Sequence, residues 1–148
     1  FSSYLRYHML ERPAHTVMTM MTFDTQFPEA SGIVELDKYG VVTDFYEKPV
    51  RPKSNLANAA VYILEPEIIY TLAAGPQVVD FSTEVIPRYL GRIATWENRG
   101  IHRDIGVIDS LIDAQLDAIP ENCWSMKDDW LVNYQRSTVV REIDTMIV

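Results

Sequence analysis

The amino-acid sequence predicts an α/β protein built around a mixed β-sheet. Segments with the apolar patterns of strands alternate with segments of helical periodicity, an order that is typical of α/β folds. Two strand–turn–strand patterns add antiparallel hairpins to this order. The length of 148 residues and the hydrophobic content of 47% fit one folded domain rather than a disordered chain.

The chain opens with a predicted helix and a predicted strand. Residues 1–11 carry apolar side chains at helical spacing, and Pro13 ends that run. Residues 15–23 are rich in Thr, Val and Met, which favours a buried strand. Residues 24–31 are expected to form a loop.

A hairpin is the clearest local prediction. Residues 33–36 and 41–45 have the pattern of two short strands. The segment Asp37-Lys38-Tyr39-Gly40 between them has turn chemistry, because Gly40 is free to take a positive φ.

The middle of the chain predicts a loop, a strand and a helix. Residues 49–55 include two prolines and are expected to be irregular. Residues 59–64 form a continuous apolar run, which predicts a strand buried on both faces. A helix is expected over residues 65–72, and Gly75-Pro76 stops it.

The next segment predicts a second hairpin between two helices. Ser82 is expected to cap a short helix that ends at Gly91. Residues 93–97 and 101–105 are predicted to pair as antiparallel strands. A further helix is expected with Ile108, Leu111, Ile112, Gln115 and Leu116 on one face, and it is expected to end near Pro120.

Charge and cysteine content exclude several kinds of protein. The 13 Lys and Arg residues against 21 Asp and Glu residues give a net charge of −8. This acidic balance argues against general binding to nucleic-acid backbones, although a small phosphorylated ligand needs only one or two local basic groups. No apolar run reaches the length of a membrane span. Cys123 is the single cysteine, which excludes an intrachain disulfide and a zinc ribbon.

Glu47 and Lys48 are the first candidate site residues. They lie at the end of a predicted strand, before the loop that Pro49 begins. Lys48 can hold a phosphate as a point charge, and Glu47 can accept hydrogen bonds from ligand hydroxyls. A pair of ordinary solvated surface charges is the alternative interpretation.

Asn58 and Asp104 are the other candidates. The amide of Asn58 can donate and accept hydrogen bonds at the mouth of an apolar strand, and an asparagine that closes a turn is the alternative interpretation, which the frequent use of Asn in turns favours. Asp104 near a strand end suits Mg²⁺, which is often held by one or two carboxylates and the phosphates of a ligand. An ion pair between Asp104 and Arg99 or Arg103 is the alternative.

Four motifs in sequence order carry a family resemblance. They read S-G-I-V-E-L-D-x-x-G-x-V-T-D-F-x-E-K-P, S-N-L-A-N-A-A-V-Y-I-L-E-P, D-F-S-T-E-V-I-P and R-D-I-G. Together they resemble the second half of a sugar-1-phosphate nucleotidylyltransferase, a family also called nucleotide-sugar pyrophosphorylases. We therefore expect residues 1–120 to be the C-terminal half of a nucleotidyltransferase domain and residues 121–148 to be a C-terminal extension.

The resemblance implies a fold, a reaction and a set of residue roles. It implies part of a doubly wound, Rossmann-like sheet and a transferase that converts an NTP and a sugar 1-phosphate into an NDP-sugar and pyrophosphate, with Mg²⁺ as cofactor. Gly32, Glu47 and Asn58 are expected to contact the sugar. Lys48 is expected to hold the sugar phosphate, and Asp104 to be one of two carboxylates that hold the metal. Lys48 and Asp104 would be the catalytic residues.

Three positions depart from the family pattern. The family usually has Gly where Ala60 stands, Trp where His102 stands, and a small hydroxyl residue where Val107 stands. Ala60 is expected to tighten the sugar pocket, and His102 to change its wall. Val107 removes an expected helix cap.

The Gly-rich G-x-G-T-R loop of the family's first half is absent from this sequence. We therefore expect the N-terminal nucleotide-binding half to be missing, the parent protein to be the enzyme, and these 148 residues to be inactive alone. Without that half, one edge and one face of the sheet would be uncovered. We therefore expect the chain to form a homo-oligomer or to associate with the missing half through this surface.

Two other functions are compatible with the same residues. One is a non-catalytic sugar-phosphate-binding or regulatory subunit, and the other is an assembly module in which the motifs are vestigial. For the enzyme we expect a cytoplasmic location, a role in nucleotide-sugar biosynthesis for polysaccharides, and no nucleic-acid or membrane partner.

Overall fold

The computed structural model describes residues 1–103, 105 and 108–117. The chain divides into two units, Phe1–Arg103 and Asp104–Val148. In chain order the helices and strands are α1 (Ser2–Leu10), β1 (Met18–Asp24), β2 (Gly32–Leu36), β3 (Val42–Glu47), β4 (Leu56–Leu64), α2 (Pro66–Ala74), α3 (Phe81–Glu84), β5 (Ile93–Glu97) and α4 (Ile108–Leu116). Residues 121–148 lie outside the described residues, so the C-terminal extension stays a prediction.

The five strands of the described residues form one mixed sheet in the order β3-β2-β4-β1-β5. The ladder between β1 and β5 is parallel, and the other ladders are antiparallel. This arrangement confirms the mixed α/β architecture. The doubly wound organisation remains a prediction.

One face of the sheet packs against α1. Trp96 lies opposite Met21 in the parallel ladder, so both side chains are on this face. The ring of Tyr4 in α1 lies 5.4 Å from the ring of Trp96. We call this surface the α1 face.

The opposite face carries Tyr62 and Met20, which pair directly between β4 and β1. The ring of Phe81, the first residue of α3, lies 4.6 Å from the ring of Tyr62. Ile68 of α2 is fully buried and belongs to the same hydrophobic cluster as Met20, against which Tyr62 and Phe81 also pack. We call this surface the site face, because the candidate residues described below lie on it.

The core forms where the site face meets α2 and the segment after α3. The burial of one large apolar side chain contributes about 1.5–3 kcal/mol to the stability of a folded protein. The buried members of the core are Val17, Met18, Met20, Val34, Val42, Ile68, Val85, Ile86 and Ile93. The core thus holds α2 and residues 85–86 on the sheet and fixes the neighbouring α3.

The predicted β2–β3 hairpin is confirmed. The two strands pair in antiparallel register from Gly32 opposite Glu47 to Leu36 opposite Val42. Gly40 takes a φ of +76°, which explains why glycine suits this turn. Asp37 closes the turn, because its Oδ1 accepts the N–H of Val41 at 2.9 Å.

Three helix predictions are confirmed over the described residues. The first is α1, which ends at Leu10, shortly before Pro13. The second is α2, which begins at Pro66 and ends before Gly75. The third is α4, whose predicted end near Pro120 lies outside the described residues. Prolines at a first turn or past a last turn set the limits of α1 and α2, since proline lacks the N–H that a helix interior needs.

Two strand predictions are wrong in part. The first strand begins at Met18 rather than at residue 15, because residues 13–16 close a turn in which the Thr16 N–H donates to the Pro13 carbonyl at 3.0 Å. The run 59–64 is not buried on both faces. Its strand begins earlier, at Leu56, and Ala60 is exposed because a bulge lifts it out of the ladder.

The second predicted hairpin and the Ser82 cap are also wrong. Residues 101–103 and Ile105 form no strand, and β5 pairs instead with β1. Helix α3 is capped by Asp80, whose Oδ1 accepts the Thr83 N–H at 2.8 Å. The carboxylate of Asp80 precedes the first helical residue, which is the position from which a side chain reaches the free N–H groups.

Candidate functional site

Three of the predicted site residues lie side by side on the site face. Gly32 of β2 is directly opposite Glu47 of β3. The pairing of Ile33 with Ala57 puts Asn58 of β4 next to Gly32 on its other side. Because residues opposite each other share a face, we name Glu47, Gly32 and Asn58 the polar row.

Gly32 is required by the packing around it. A Cβ atom at this position would lie 2.7 Å from Cζ of Phe45 and 3.1 Å from Oε2 of Glu47. Any side chain at position 32 would therefore displace the Phe45 ring or the Glu47 carboxylate. The predicted contact between Gly32 and a sugar is a separate matter and stays a prediction.

Lys48 follows the polar row in an unusual backbone conformation. Its φ is +47°, a left-handed value that residues with a Cβ rarely take. Its N–H donates to the carbonyl of Ser31 at 3.1 Å, which anchors the chain at the end of β3. Both Glu47 and Lys48 have exposed side chains. Strain of this kind concentrates at functional sites, where the surrounding structure maintains it.

A bulge in β4 orients the side chain of Asn58. Thr22 pairs with Asn58 and Met20 pairs with Tyr62, so three residues of β4 face the single Met21 of β1. Ala60 in this bulge has a φ of +56°. Its N–H donates to Oδ1 of Asn58 at 3.0 Å, and Nδ2 of Asn58 donates to the hydroxyl of Tyr62 at 2.7 Å.

The left-handed backbone at Ala60 explains one departure from the family pattern. Glycine takes this conformation at no steric cost, whereas alanine is strained by about 1–2 kcal/mol. The alanine is exposed, so its methyl group has room. The expected tightening of a sugar pocket by Ala60 stays a prediction.

Charged and polar groups converge on Tyr62. Burial raises the pKa of Tyr62 above its ordinary value. Hydrogen bonds with Asn58 and Ser82 oppose this rise in pKa, whereas the negative charges of Glu47 and Asp80 add to it. The Tyr62 hydroxyl is therefore a protonated group between the polar row and the start of α3.

The carboxylate of Asp80, which caps α3, interacts electrostatically with the charge of Lys48. The pKa of Asp80 lies below its ordinary value, chiefly because the backbone N–H and the hydroxyl of Thr83 donate to the carboxylate. The positive charge of Lys48 lowers this pKa further. Sequence reasoning missed Asp80 and Tyr62, although both belong to motifs that carried the family resemblance.

A separate depression of about 280 Å³ opens at the carboxyl ends of β1 and β5. Phe23, Asp24, Glu97 and Arg99 contribute to its lining, together with His102. The ring of His102 lies 4.2 Å from the ring of Phe23. In open parallel sheets the carboxyl ends of the strands are the usual place for a ligand.

The predicted Mg²⁺ site depends on Asp104, which the structure does not describe. Asp104 and Val107 are not among the described residues, so the expected metal ligand and the lost helix cap stay predictions. Over residues 1–103, 105 and 108–117, no three His, Cys, Asp or Glu side chains gather as a metal site. The same residues include no helix that is long and apolar enough to cross a membrane.

Comparisons with known proteins give the family of the chain. The sequence profile described as "Nucleotidyl transferase" matches residues 1–120. A glucose-1-phosphate adenylyltransferase of Thermomicrobium roseum is 31% identical over 113 residues, which cover 72% of this chain and 26% of that protein. The chain thus spans about a quarter of the length of this relative.

A solved structure shares the fold. It is a putative glucose-1-phosphate thymidylyltransferase from Bacillus anthracis in complex with a sucrose, with a TM-score of 0.64 and 19% sequence identity. The likeness covers 77% of this chain and 47% of that one. The profile match over residues 1–120 and the order of the four motifs show that the chain belongs to the nucleotidyl transferase family of sugar-1-phosphate nucleotidylyltransferases.

Proposed function

We propose that this chain is the sugar 1-phosphate-binding part of a nucleotidylyltransferase that forms an NDP-sugar and pyrophosphate from an NTP and a sugar 1-phosphate. The observation that carries the proposal is the polar row. Residues from three strands, with Lys48 directly after Glu47, present a carboxylate, an amide and an ammonium group in one place. This combination suits a ligand that has both hydroxyl groups and a phosphate.

Each residue has a defined part in the proposed complex. Lys48 pairs with the phosphate, while Glu47 and Asn58 hydrogen-bond to sugar hydroxyls. Gly32 keeps the Phe45 ring and the Glu47 carboxylate in place beside the sugar, because a Cβ atom here would displace one or the other. An oxygen of the sugar phosphate forms a bond to the α-phosphorus of the NTP, and the bond from that phosphorus to the leaving pyrophosphate breaks. Positioning and charge neutralisation supply the catalysis, because no covalent bond to the protein is needed.

Mg²⁺ is the proposed cofactor, and Asp104 its proposed protein ligand on this chain. Mg²⁺ usually keeps only one or two carboxylates and takes its other ligands from water and phosphates. A three-residue cluster is therefore not required, and the donor set fits the ion. Mg²⁺ would supply positive charge between the phosphates.

Calorimetric titration of the 148-residue chain with glucose 1-phosphate and mannose 1-phosphate tests the binding proposal. We expect both sugar 1-phosphates to bind more tightly than free glucose and glucose 6-phosphate, since only they combine an anomeric phosphate with the ring hydroxyls. Equal affinity for all four compounds, or no binding, would contradict the proposal.

A turnover assay separates the enzyme from its alternatives. With Mg²⁺, each NTP and the same sugar 1-phosphates, we expect no pyrophosphate from this chain, because its sequence has no G-x-G-T-R loop. Release of pyrophosphate would overturn the expectation of inactivity. Binding without turnover in a longer protein that also carries the Gly-rich loop would favour the non-catalytic subunit.

A further inference from the structure

Tyr62 lies between the polar row and α3 and has no part in the proposed chemistry. Its hydroxyl is 2.7 Å from Nδ2 of Asn58, and its ring lies 4.6 Å from the ring of Phe81. Asp80 caps α3 and so holds Phe81 and Ser82 in place. The side chain of Ser82 also acts on Tyr62, since it lowers the pKa of the Tyr62 hydroxyl.

The hydrogen bonds fix which way the Asn58 amide points. A backbone N–H can only donate, so the atom that faces Ala60 must be the oxygen, Oδ1. Nδ2 then faces Tyr62, whose hydroxyl oxygen accepts this hydrogen bond. One N–H and one lone pair of the amide are left for a ligand.

We infer that Tyr62 is a positioning residue, which holds the Asn58 amide in the one orientation from which it can bind a sugar hydroxyl. The inference rests on the proposed function. It also gives the D-F-S segment a role, since Phe81 of that segment packs on the Tyr62 ring. The bulge at Ala60 and the start of α3 thus act on the ligand through Asn58.

The test removes the Tyr62 hydroxyl and leaves its ring. Tyr62→Phe keeps the contact with Phe81, and Tyr70→Phe is the matched control because Tyr70 is 74% exposed on α2. We expect Tyr62→Phe to weaken the binding of glucose 1-phosphate or mannose 1-phosphate by about three- to tenfold, the usual effect of one hydrogen bond. The control is expected to bind as the wild type does.

A double variant distinguishes positioning from a general loss of structure. Because Tyr62 acts through Asn58, Tyr62→Phe combined with Asn58→Ala is expected to bind no more weakly than Asn58→Ala alone. The side-chain amide signals of Asn58 in a ¹⁵N NMR spectrum of the ligand-free chain give a second readout. We expect Tyr62→Phe to move these signals toward those of a freely rotating asparagine, and Tyr70→Phe to leave them in place.

The outcomes separate the inference from the proposed function. If the wild type binds no sugar 1-phosphate, the proposed function fails, and the inference fails with it. If the wild type binds and Tyr62→Phe binds equally well, only the inference is overturned. Additive losses in the double variant, or unchanged Asn58 signals, would also overturn it.

Discussion

The two faces of the sheet use their buried tyrosines in different ways. On the α1 face, the hydroxyl of Tyr4 donates to the backbone carbonyl of Thr19 at 2.6 Å and lies 3.1 Å from that of Val61. On the site face, the hydrogen-bond partner of the Tyr62 hydroxyl is the side chain of Asn58, at 2.7 Å. A hydroxyl bonded to the backbone fixes a helix on a sheet, whereas one bonded to a side chain fixes that side chain for a ligand.

Backbone strain follows the same division. The two non-glycine residues with positive φ among the described residues are Lys48 and Ala60, and both adjoin the polar row. The positive φ values away from the row belong to Gly40 and Gly91, which take them without steric cost. Substitutions on the α1 face should therefore change stability alone, while substitutions near the row should change ligand binding.

The largest expected effect is on the α1 face. Tyr4 is fully buried, so Tyr4→Ala is expected to lower the free energy of unfolding by about 3–5 kcal/mol, as other buried aromatic truncations do. Urea denaturation followed by circular dichroism measures this loss. Tyr70→Ala, at an exposed position, is the control and is expected to change it by less than about 0.5 kcal/mol. A loss as small as that of the control would mean that α1 does not hold the sheet.

The next effect is on the site face and concerns binding. Lys48→Ala is expected to weaken the binding of a sugar 1-phosphate by about 10- to 100-fold, because a charged hydrogen bond is lost. Calorimetry measures the change, with Lys38→Ala in the β2–β3 turn as the control. Lys48→Gly sharpens the comparison, since it should lose binding yet gain stability by relieving the positive φ. Retained binding in both Lys48 variants would contradict a role in holding phosphate.

A smaller effect is expected at the bulge. Ala60→Gly should raise the free energy of unfolding by up to about 1 kcal/mol, since relief of strain exceeds the entropic cost of glycine. Ala57→Gly on the same strand is the control. Ala57 lies in the regular ladder and is fully buried, so its substitution should be destabilising. If both variants lose the same stability, Ala60 carries no strain.

The smallest effect is a pH dependence on the α1 face. His8 is buried, with Nδ1 2.7 Å from the hydroxyl oxygen of Thr19 and Nε2 3.4 Å from a carboxylate oxygen of Glu65. Burial lowers the pKa of His8 below 6.5, the positive charge of Arg12 adds to the shift, and Glu65 opposes it.

Because the folded pKa is the lower one, the unfolded chain takes up the proton first as the pH falls. The stability that neutral His8 provides is therefore complete above pH 6.5 and is lost as the pH falls below that value. Urea denaturation at several pH values measures this, with His8→Gln as the control that should lack the dependence. An identical pH profile for the two proteins would contradict the assignment.

Local signals in the sequence explain which elements could be predicted. The β2–β3 hairpin follows from Gly40, and α2 from the residues at its two ends, because these signals act within a few positions. The pairing of β5 with β1 joins residues 75 positions apart, as in Met18 opposite Ile93, and no local pattern encodes it. The second hairpin was predicted in error for this reason.

The site was predictable to the extent that its residues lie in motifs. Glu47 and Asn58 were predicted from the chemistry of their side chains and Gly32 from the family motif, and the sheet brings the three together. Tyr62 was missed because its contact with Asn58 depends on a bulge, and a register shift leaves no pattern in a single sequence. Ser82 was taken for a cap, since serine favours that position, but Asp80 caps the helix from two residues earlier.

The most direct test of the account is an NMR titration of the ¹⁵N-labelled 148-residue chain with glucose 1-phosphate and mannose 1-phosphate. We expect the amide signals of Gly32, Lys48 and Ala60 to shift until the site is saturated, while those of Tyr4 and Thr19 on the α1 face stay in place. Unmoved signals along the polar row at saturating ligand, or shifts confined to the α1 face, would contradict a sugar 1-phosphate site on the site face.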